Sequence, residues 1–453
     1  MDTNLWEKYE QSTKDDIRDF SNDYKSFLSN CKTERECIKY AIHRAEKNGF
    51  KSLKHLIETG AKLKAGDKVY SVNMDKSLLL FVVGKQPIEK GINIVGSHVD
   101  SPRLDLKAKP LYESNGFCMI DTHYYGGIKK YQWTCLPLAM HGVIFRKDGS
   151  KLEVVFGENE ETSFVISDLL PHLDKDKAKE IKGEDLNLIA GNVADTKAKD
   201  SKFKNFILNL IKQKNVEEDD FFSAELEIVP AGRARDCGLD RSMILGYGHD
   251  DRSCSYAALE ALFETSEPDY SSMVLLVDKE EIGSLGATGM SSKSFENSLA
   301  EIMNLCGQYD ELALRRALNN SNCLSADVTA AVDPNYPAPF NTATDAHFAH
   351  GISFNKFTGA RGKSGANDAN PEFISKLRIV LDKEKVTYQA TEMGKVDEGG
   401  GGTIAYLMAK YGMNVIDAGI PVLNMHSPWE VISKADLWET YKCYKAFFKM
   451  DTK

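Results

Sequence analysis

The chain has 453 residues, of which 42% are hydrophobic and 27% charged, and its formal net charge is −10. That length exceeds what one ordinary core supports, so two domains are expected, and the apolar share is that of a globular chain, not a disordered one. The acidic balance excludes a general affinity for nucleic acid or anionic lipid, and no apolar run approaches the ~20 residues that span a bilayer.

Taken in order, the polar and acidic start Met1–Asp16 is no signal peptide. The nine cysteines lie without CxxC spacing, which points to reduced thiols in a cytoplasm and against a zinc finger. Apolar residues at helical spacing (Ile17, Phe20, Tyr24 and Phe27, then Ile38, Ala41 and Ala45) predict two amphipathic helices between Thr13 and Asn48, stopped by Gly49. Lys68–Gly84 reads as a hairpin with Asp75-Lys76 near its turn. Gly91–Ser97 reads as a short buried strand running into His98-Val99-Asp100-Ser101-Pro102-Arg103.

The texture changes after Leu106. Strand-like stretches follow at Trp133–Leu138, Val143–Arg146, Leu152–Phe156 and Ala224–Val229, interrupted by the lysine-rich Asp174–Lys202. Residues 107–240 therefore read as an inserted domain, with residues 1–106 and 241–453 forming the other. From Gly246 onward strands and helices alternate. Ser253–Glu264, Ser292–Leu305, Asp310–Leu318, Pro371–Asp382, Ile404–Tyr411 and Lys434–Lys449 are predicted helices. Val274–Val277, Leu324–Asp327, Val415–Ala418 and Val422–His426 are predicted strands. This alternation predicts an α/β layer structure with a mixed sheet.

Met273–Met290 concentrates the chemistry. A buried apolar strand ends in Asp278-Lys279-Glu280-Glu281, and adjacent carboxylates at such an end are costly unless a cation or a reaction uses them. Four other segments place an acceptor after an apolar run or at a helix start: His98, Asp250 with Asp251, Asp327, and His426. In open α/β sheets ligands gather at the carboxyl ends of strands. Two histidines with several carboxylates suit zinc, cobalt or manganese better than calcium or magnesium. Asp250 is the candidate carboxylate to bridge two ions, a pair able to hold both water and carbonyl oxygen. Asp100 is placed to accept the other ring proton of His98. His249, His347 and His350 are rival ligands, and Asp251-Arg252 has the alternative of a surface pair.

The segments GSHVDSPRLDLK (Gly96–Lys107), HDDRSC (His249–Cys254), DKEEIGSLGATG (Asp278–Gly289), SADVTAAVDPNYP (Ser325–Pro337) and NMHSPWE (Asn424–Glu430) resemble, in order and over nearly the whole chain, the aspartyl aminopeptidase family of dizinc metallopeptidases. YYGGIKKYQW (Tyr124–Trp133) and the closing helix also match. The resemblance implies a mixed-sheet, three-layer α/β zinc-peptidase domain with an inserted, mostly-β dimerisation domain. It implies that His98 and Asp327 hold one zinc, that Glu281 and His426 hold the other, and that Asp250 bridges them. Glu280 would be the general base, and Asp100 would orient His98. His172, in LLPHL, would reach a neighbouring subunit's site. Lys356, with Arg361 and Lys363 close in sequence, would meet the side-chain carboxylate of an N-terminal Asp or Glu. Asp333 stands where some relatives carry His, which bears on the acidic preference. Relatives assemble as tetrahedral dodecamers built from dimers, admitting peptides and excluding folded proteins.

Three other readings remain at this point. Gly362-Lys363-Ser364 resembles a phosphate loop, but that pattern needs Gly at position 357 and Phe357 stands there. The same two-metal chemistry would also serve a neutral-residue aminopeptidase or a deacylase. A metal-bound peptide-binding shell without turnover is the reading from a different class, and Glu280 argues against it.

Overall fold

The computed structural model describes residues 4–158, 161–174 and 180–452. The chain divides into two compact units, one of residues 1–100, 234–425 and 430–453, the other of residues 101–233 with 426–429. The expected insertion spans 107–240.

The first unit is mixed α/β and is built on a nine-stranded sheet. Its strands lie in the order Lys51–Ser52, Lys68–Asn73, Ser77–Val82, Ser271–Val277, Ile92–His98, Asn322–Ser325, Asn414–Gly419, Ile352–Asn355 and Tyr388–Thr391. The central strands Ser271–Val277, Ile92–His98, Asn322–Ser325 and Asn414–Gly419 run parallel. Ser77–Val82 and Ile352–Asn355 flank them antiparallel. Alternate side chains enter opposite cores, as the two-residue period of a strand requires. Val274 and Leu276 face one core, and Met273, Leu275 and Val277 face the other. Helices Gln11–Asn30, Glu34–Lys47, His249–Phe263, Pro371–Lys383 and Lys434–Phe447 cover the first face. Leu53–Glu58, Ser294–Leu305, Glu311–Asn319 and Ala405–Ala409 cover the second. Within the central strands, residues 273–277 and 94–95 are thus apolar because both faces of the sheet are dry, while buried polar residues such as Ser271, Asn93, Asn322 and Asp417 are found elsewhere along them.

Register places the functional segments. Val277 is level with His98, and Ser325 with Gly96 and Asp417. Three neighbouring parallel strands therefore end together, and the polar motifs leave from those ends.

Local chemistry explains most predicted elements. The two N-terminal helices are separated by a capping box, Thr33 with Glu36, and Gly49 takes φ +85°. The predicted hairpin forms with Met74 and Asp75 at positive φ in its turn. Two strands differ from expectation. Trp133–Leu138 is not a strand: Lys130–Trp133 is a 3₁₀ turn, and the strand is Leu138–Phe145. The strand predicted as Val422–His426 is Pro421–Leu423, because Asn424 and His426 take φ +61° and +65°, which no strand accommodates.

The second unit contains a six-stranded antiparallel sheet ordered Lys151–Phe156, Leu138–Phe145, Ala224–Pro230, Arg103–Ser114, Phe117–Tyr125 and Leu188–Gly191. It also carries the helix Lys202–Lys212, which begins where the lysine-rich Asp174–Lys202 ends and which is not among the predicted elements.

Candidate metal centre

His98, the last residue of its strand, is buried. Its Nδ1 lies 3.0 Å from the carbonyl oxygen of Asp100 and 3.3 Å from Asp100 Oδ1. Both are acceptors, so Nδ1 carries a proton and Nε2 is the nitrogen that could hold a metal. Nε2 faces Asp250 Oδ1 at 3.2 Å and Asp327 Oδ1 at 3.8 Å. Burial opposes a charge on this ring, but the hydrogen bonds to Asp100, Asp250 and Asp327 outweigh it and raise its pKa well above the ordinary value.

Asp100 ties this histidine to the glutamate pair. Its Oδ1 accepts the Glu280 N–H and its Oδ2 the Glu281 N–H, each at 3.2 Å. The pair sits in a 3₁₀ turn, Glu280–Ile282, entered through Lys279 at φ +68° and left through Gly283 at φ +95°. Asp278 braces the turn: its Oδ2 accepts the Thr288 hydroxyl at 2.5 Å and faces Lys76 Nζ at 3.5 Å. Burial pushes the Glu280 carboxyl up to about 8, with His98 pulling it down and Asp327, Asp250 and Asp100 pushing it further. Such a field of carboxylates is one that cations would neutralise.

Asp250 and Asp251 sit in non-helical backbone at the N-terminal end of the segment His249–Phe263, and both are buried. The Asp250 N–H donates to Glu430 Oε2 at 3.0 Å. Asp251 Oδ2 accepts the Ser97 hydroxyl at 2.5 Å, and burial, then Asp327, raises its pKa well above the carboxylate range. Two groups offer ligand atoms within 4.8 Å of one another: His98 with Asp250 and Glu281, and His98 with Asp251 and Asp327. One imidazole nitrogen among carboxylate oxygens is a zinc-type donor set.

Of the rivals, His249 is committed elsewhere. It lies 2.7 Å from the Tyr24 hydroxyl through Nδ1 and 3.1 Å from the Ile244 carbonyl through Nε2, and burial lowers its pKa to about 3. His347 Nε2 lies against the Thr342 carbonyl and His350 Nδ1 against that of Phe348. Arg252 is no surface residue: it is buried and donates to the carbonyls of Val99 and Lys32. His426 groups with the second unit, where its Nδ1 lies 3.0 Å from the Gly127 carbonyl. A Cβ on Gly127 would come within 3.2 Å of that nitrogen, so the Gly-Gly of YYGGIKK leaves room for the ring. His172 lies exposed in a turn of the same unit. Lys356 follows the strand Ile352–Asn355 and is exposed. Lys363 pairs with Asp368 at 3.3 Å and lies over the Phe357 ring.

The sequence reading gave no role to Glu430, Ser97, Asp278 or Asp417. Glu430 and Asp278 lie inside the quoted motifs, which was the available signal. Asp417 carried none. It is buried within the strand Asn414–Gly419, accepts the Thr403 hydroxyl at 2.6 Å, and burial pushes its pKa up to about 7.

A family model described as aminopeptidase I zinc metalloprotease (M18) matches residues 27–448. The chain belongs to the M18 family of zinc aminopeptidases. It is 53% identical over 452 residues to a probable M18 family aminopeptidase 1 of Clostridium acetobutylicum, covering 98% of this chain and 97% of that one. Its fold matches the crystal structure of an M18 aminopeptidase from Thermotoga maritima with a TM-score of 0.95 at 41% identity, covering 99% of this chain and 100% of that one. It matches aminopeptidase I from Clostridium acetobutylicum with a TM-score of 0.91 at 50% identity, covering 98% of each chain. A structure of the S. cerevisiae mApe1 dodecamer shares the M18 fold, with a TM-score of 0.77 at 22% identity over 97% of each chain.

Proposed function

We propose that this M18 aminopeptidase releases N-terminal Asp or Glu from peptides, using two zinc ions and Glu280 as general base. The observation that carries the reading is the convergence of His98, Asp250, Asp251, Glu281 and Asp327 at the ends of neighbouring parallel strands. The resemblance supplies the ligand roles: His98 and Asp327 for one zinc, Glu281 and His426 for the other, Asp250 between them. Bound zinc would supply Lewis acidity toward a water and the scissile carbonyl.

The chain's own groups do the rest. Asp100 holds His98 in one tautomer and, through two N–H bonds, fixes the turn that carries Glu280 and Glu281. In this reading Glu280 takes a proton from the attacking water and returns it to the departing amine. Lys356 would meet the substrate's side-chain carboxylate, a charge-assisted contact that a neutral residue does not make. We extend the proposal to a dodecamer built from dimers through the second unit, with His172 reaching a neighbouring subunit's site. The resemblance and the dodecameric mApe1 fold support it. A cytoplasmic location would agree with nine free cysteines. Among the described residues no helix is long and apolar enough to cross a membrane.

The test is a comparison of release rates from peptides that differ only in an N-terminal Asp, Glu or Leu. The proposal expects the acidic residues to have the highest kcat/KM. Leu as the best substrate would overturn the acidic assignment and leave the M18 chemistry standing.

A further inference from the structure

The second unit holds a partly open cavity of about 220 Å³ whose lining is almost wholly apolar. Its floor is one face of the antiparallel sheet. Met140 and Ile144 lie on either side of Gly142, and they pair across to Phe156 and Leu152. Gly142 is in register with Val154 on one side and Leu226 on the other, both cavity-lining residues. It adds no side chain to the floor, and a Cβ built there would fall 1.9 Å from the Glu225 carbonyl oxygen. The gap is therefore written into the sheet. The roof is the helix Lys202–Lys212, which turns Ile207 and Ile211 toward the cavity yet has no buried residue of its own.

A void of this kind costs stability in proportion to its volume and, being apolar, is not filled by ordered water. It is larger than the ~150 Å³ apolar cavity that accepts benzene. One cation belongs to the lining: Lys214, exposed and, among the described residues, with no carboxylate paired to its ammonium. Its backbone is held in place, since Arg146 donates to the carbonyls of Lys214 and Asn215. We infer that this cavity binds a medium-chain aliphatic carboxylate, its chain between sheet and helix and its head group on Lys214. The charge complementarity of one lysine beside an otherwise apolar chamber selects that class over a neutral hydrocarbon. The site lies wholly within the second unit and owes nothing to the metal centre.

The test uses the full-length, zinc-loaded protein, titrated calorimetrically with sodium octanoate and, separately, with 1-octanol. Saturable binding of one octanoate per chain is expected. Ile144→Trp, which fills the chamber, is expected to abolish it. Lys214→Glu, a surface change that leaves the fold alone, is expected to weaken octanoate by about tenfold, the scale of a lost charge-assisted contact, and to leave octanol unchanged. Aminopeptidase turnover of both variants should match the parent, which reports that they are folded. No octanoate binding by the parent chain would overturn the inference, as would equal octanoate affinity in Lys214→Glu. Loss of oligomer mass in Ile144→Trp, with no octanoate bound by the parent, would overturn it in favour of a second copy covering this face.

Discussion

The nine-stranded and six-stranded sheets use similar residues to different ends. In the first unit the central strands are dry on both faces, and every side chain of Ser271–Val277 is buried. In the second, the Lys151–Phe156 strand buries only Val154, and its covering helix buries nothing. A sheet packed from both sides holds its strand ends rigidly, which is what a set of ligand atoms within 4.8 Å of one another requires. A sheet loosely covered on one face has room to spare, and the residues proposed to act in this unit, His172 and Lys214, lie exposed. Precision of chemistry follows tightness of packing.

The largest effect that would test this comparison is at the rigid end. Glu280→Gln is expected to lower kcat by about 10²–10⁴-fold with little change in melting temperature, measured by single-peptide release. An unchanged rate would remove Glu280 from the chemistry. Next is the bracing carboxylate: Asp100→Ala should weaken zinc affinity by about 10–100-fold, read by competition with a chelator, because His98 keeps only the main-chain carbonyl of residue 100 and the Glu280 turn loses both of its N–H acceptors. Packing itself comes third. Leu275→Ala, in the doubly buried sheet, should cost ~2–5 kcal/mol in urea unfolding. Leu210→Ala, on the second unit's helix and 45% exposed, should cost about 1 kcal/mol or less. Equal costs would erase the contrast between the sheets. The smallest effect is the capping box, where Thr33→Ala should cost ~1 kcal/mol without altering turnover.

The same contrast governs how much was legible in the sequence. The middles of the central strands read as short apolar runs because burial on both faces favours apolar side chains there. Gly91–Ser97 and Val274–Val277 were accordingly located, and the acceptors following them were found with them. The strands Arg103–Ser114 and Phe117–Tyr125 were not, since a half-exposed sheet with a bulge between Leu106 and Leu111 breaks the two-residue alternation. The helix Lys202–Lys212 was not assigned, although Phe206, Ile207, Leu210 and Ile211 recur at helical spacing. At the site, Asp250 was singled out but Asp251 was left open to a surface reading, because its burial comes from Ser97 and a helix start that only the fold brings together. His249, adjacent in sequence and a plausible ligand by type, turns out to serve Tyr24 and Ile244. Neighbours along the chain do not reveal which way a side chain points.

The account stands or falls on whether the strand-end cluster holds the ions that drive peptide hydrolysis. The most direct measurement is zinc content per chain, together with peptide release, for the parent and for His98→Ala after dialysis against a chelator and return of zinc. The account predicts two zinc ions and recovered turnover in the parent, and in His98→Ala the loss of at least one zinc per chain together with turnover. A parent that turns over peptide with no metal bound, or a His98→Ala variant with full zinc content and full rate, would contradict it.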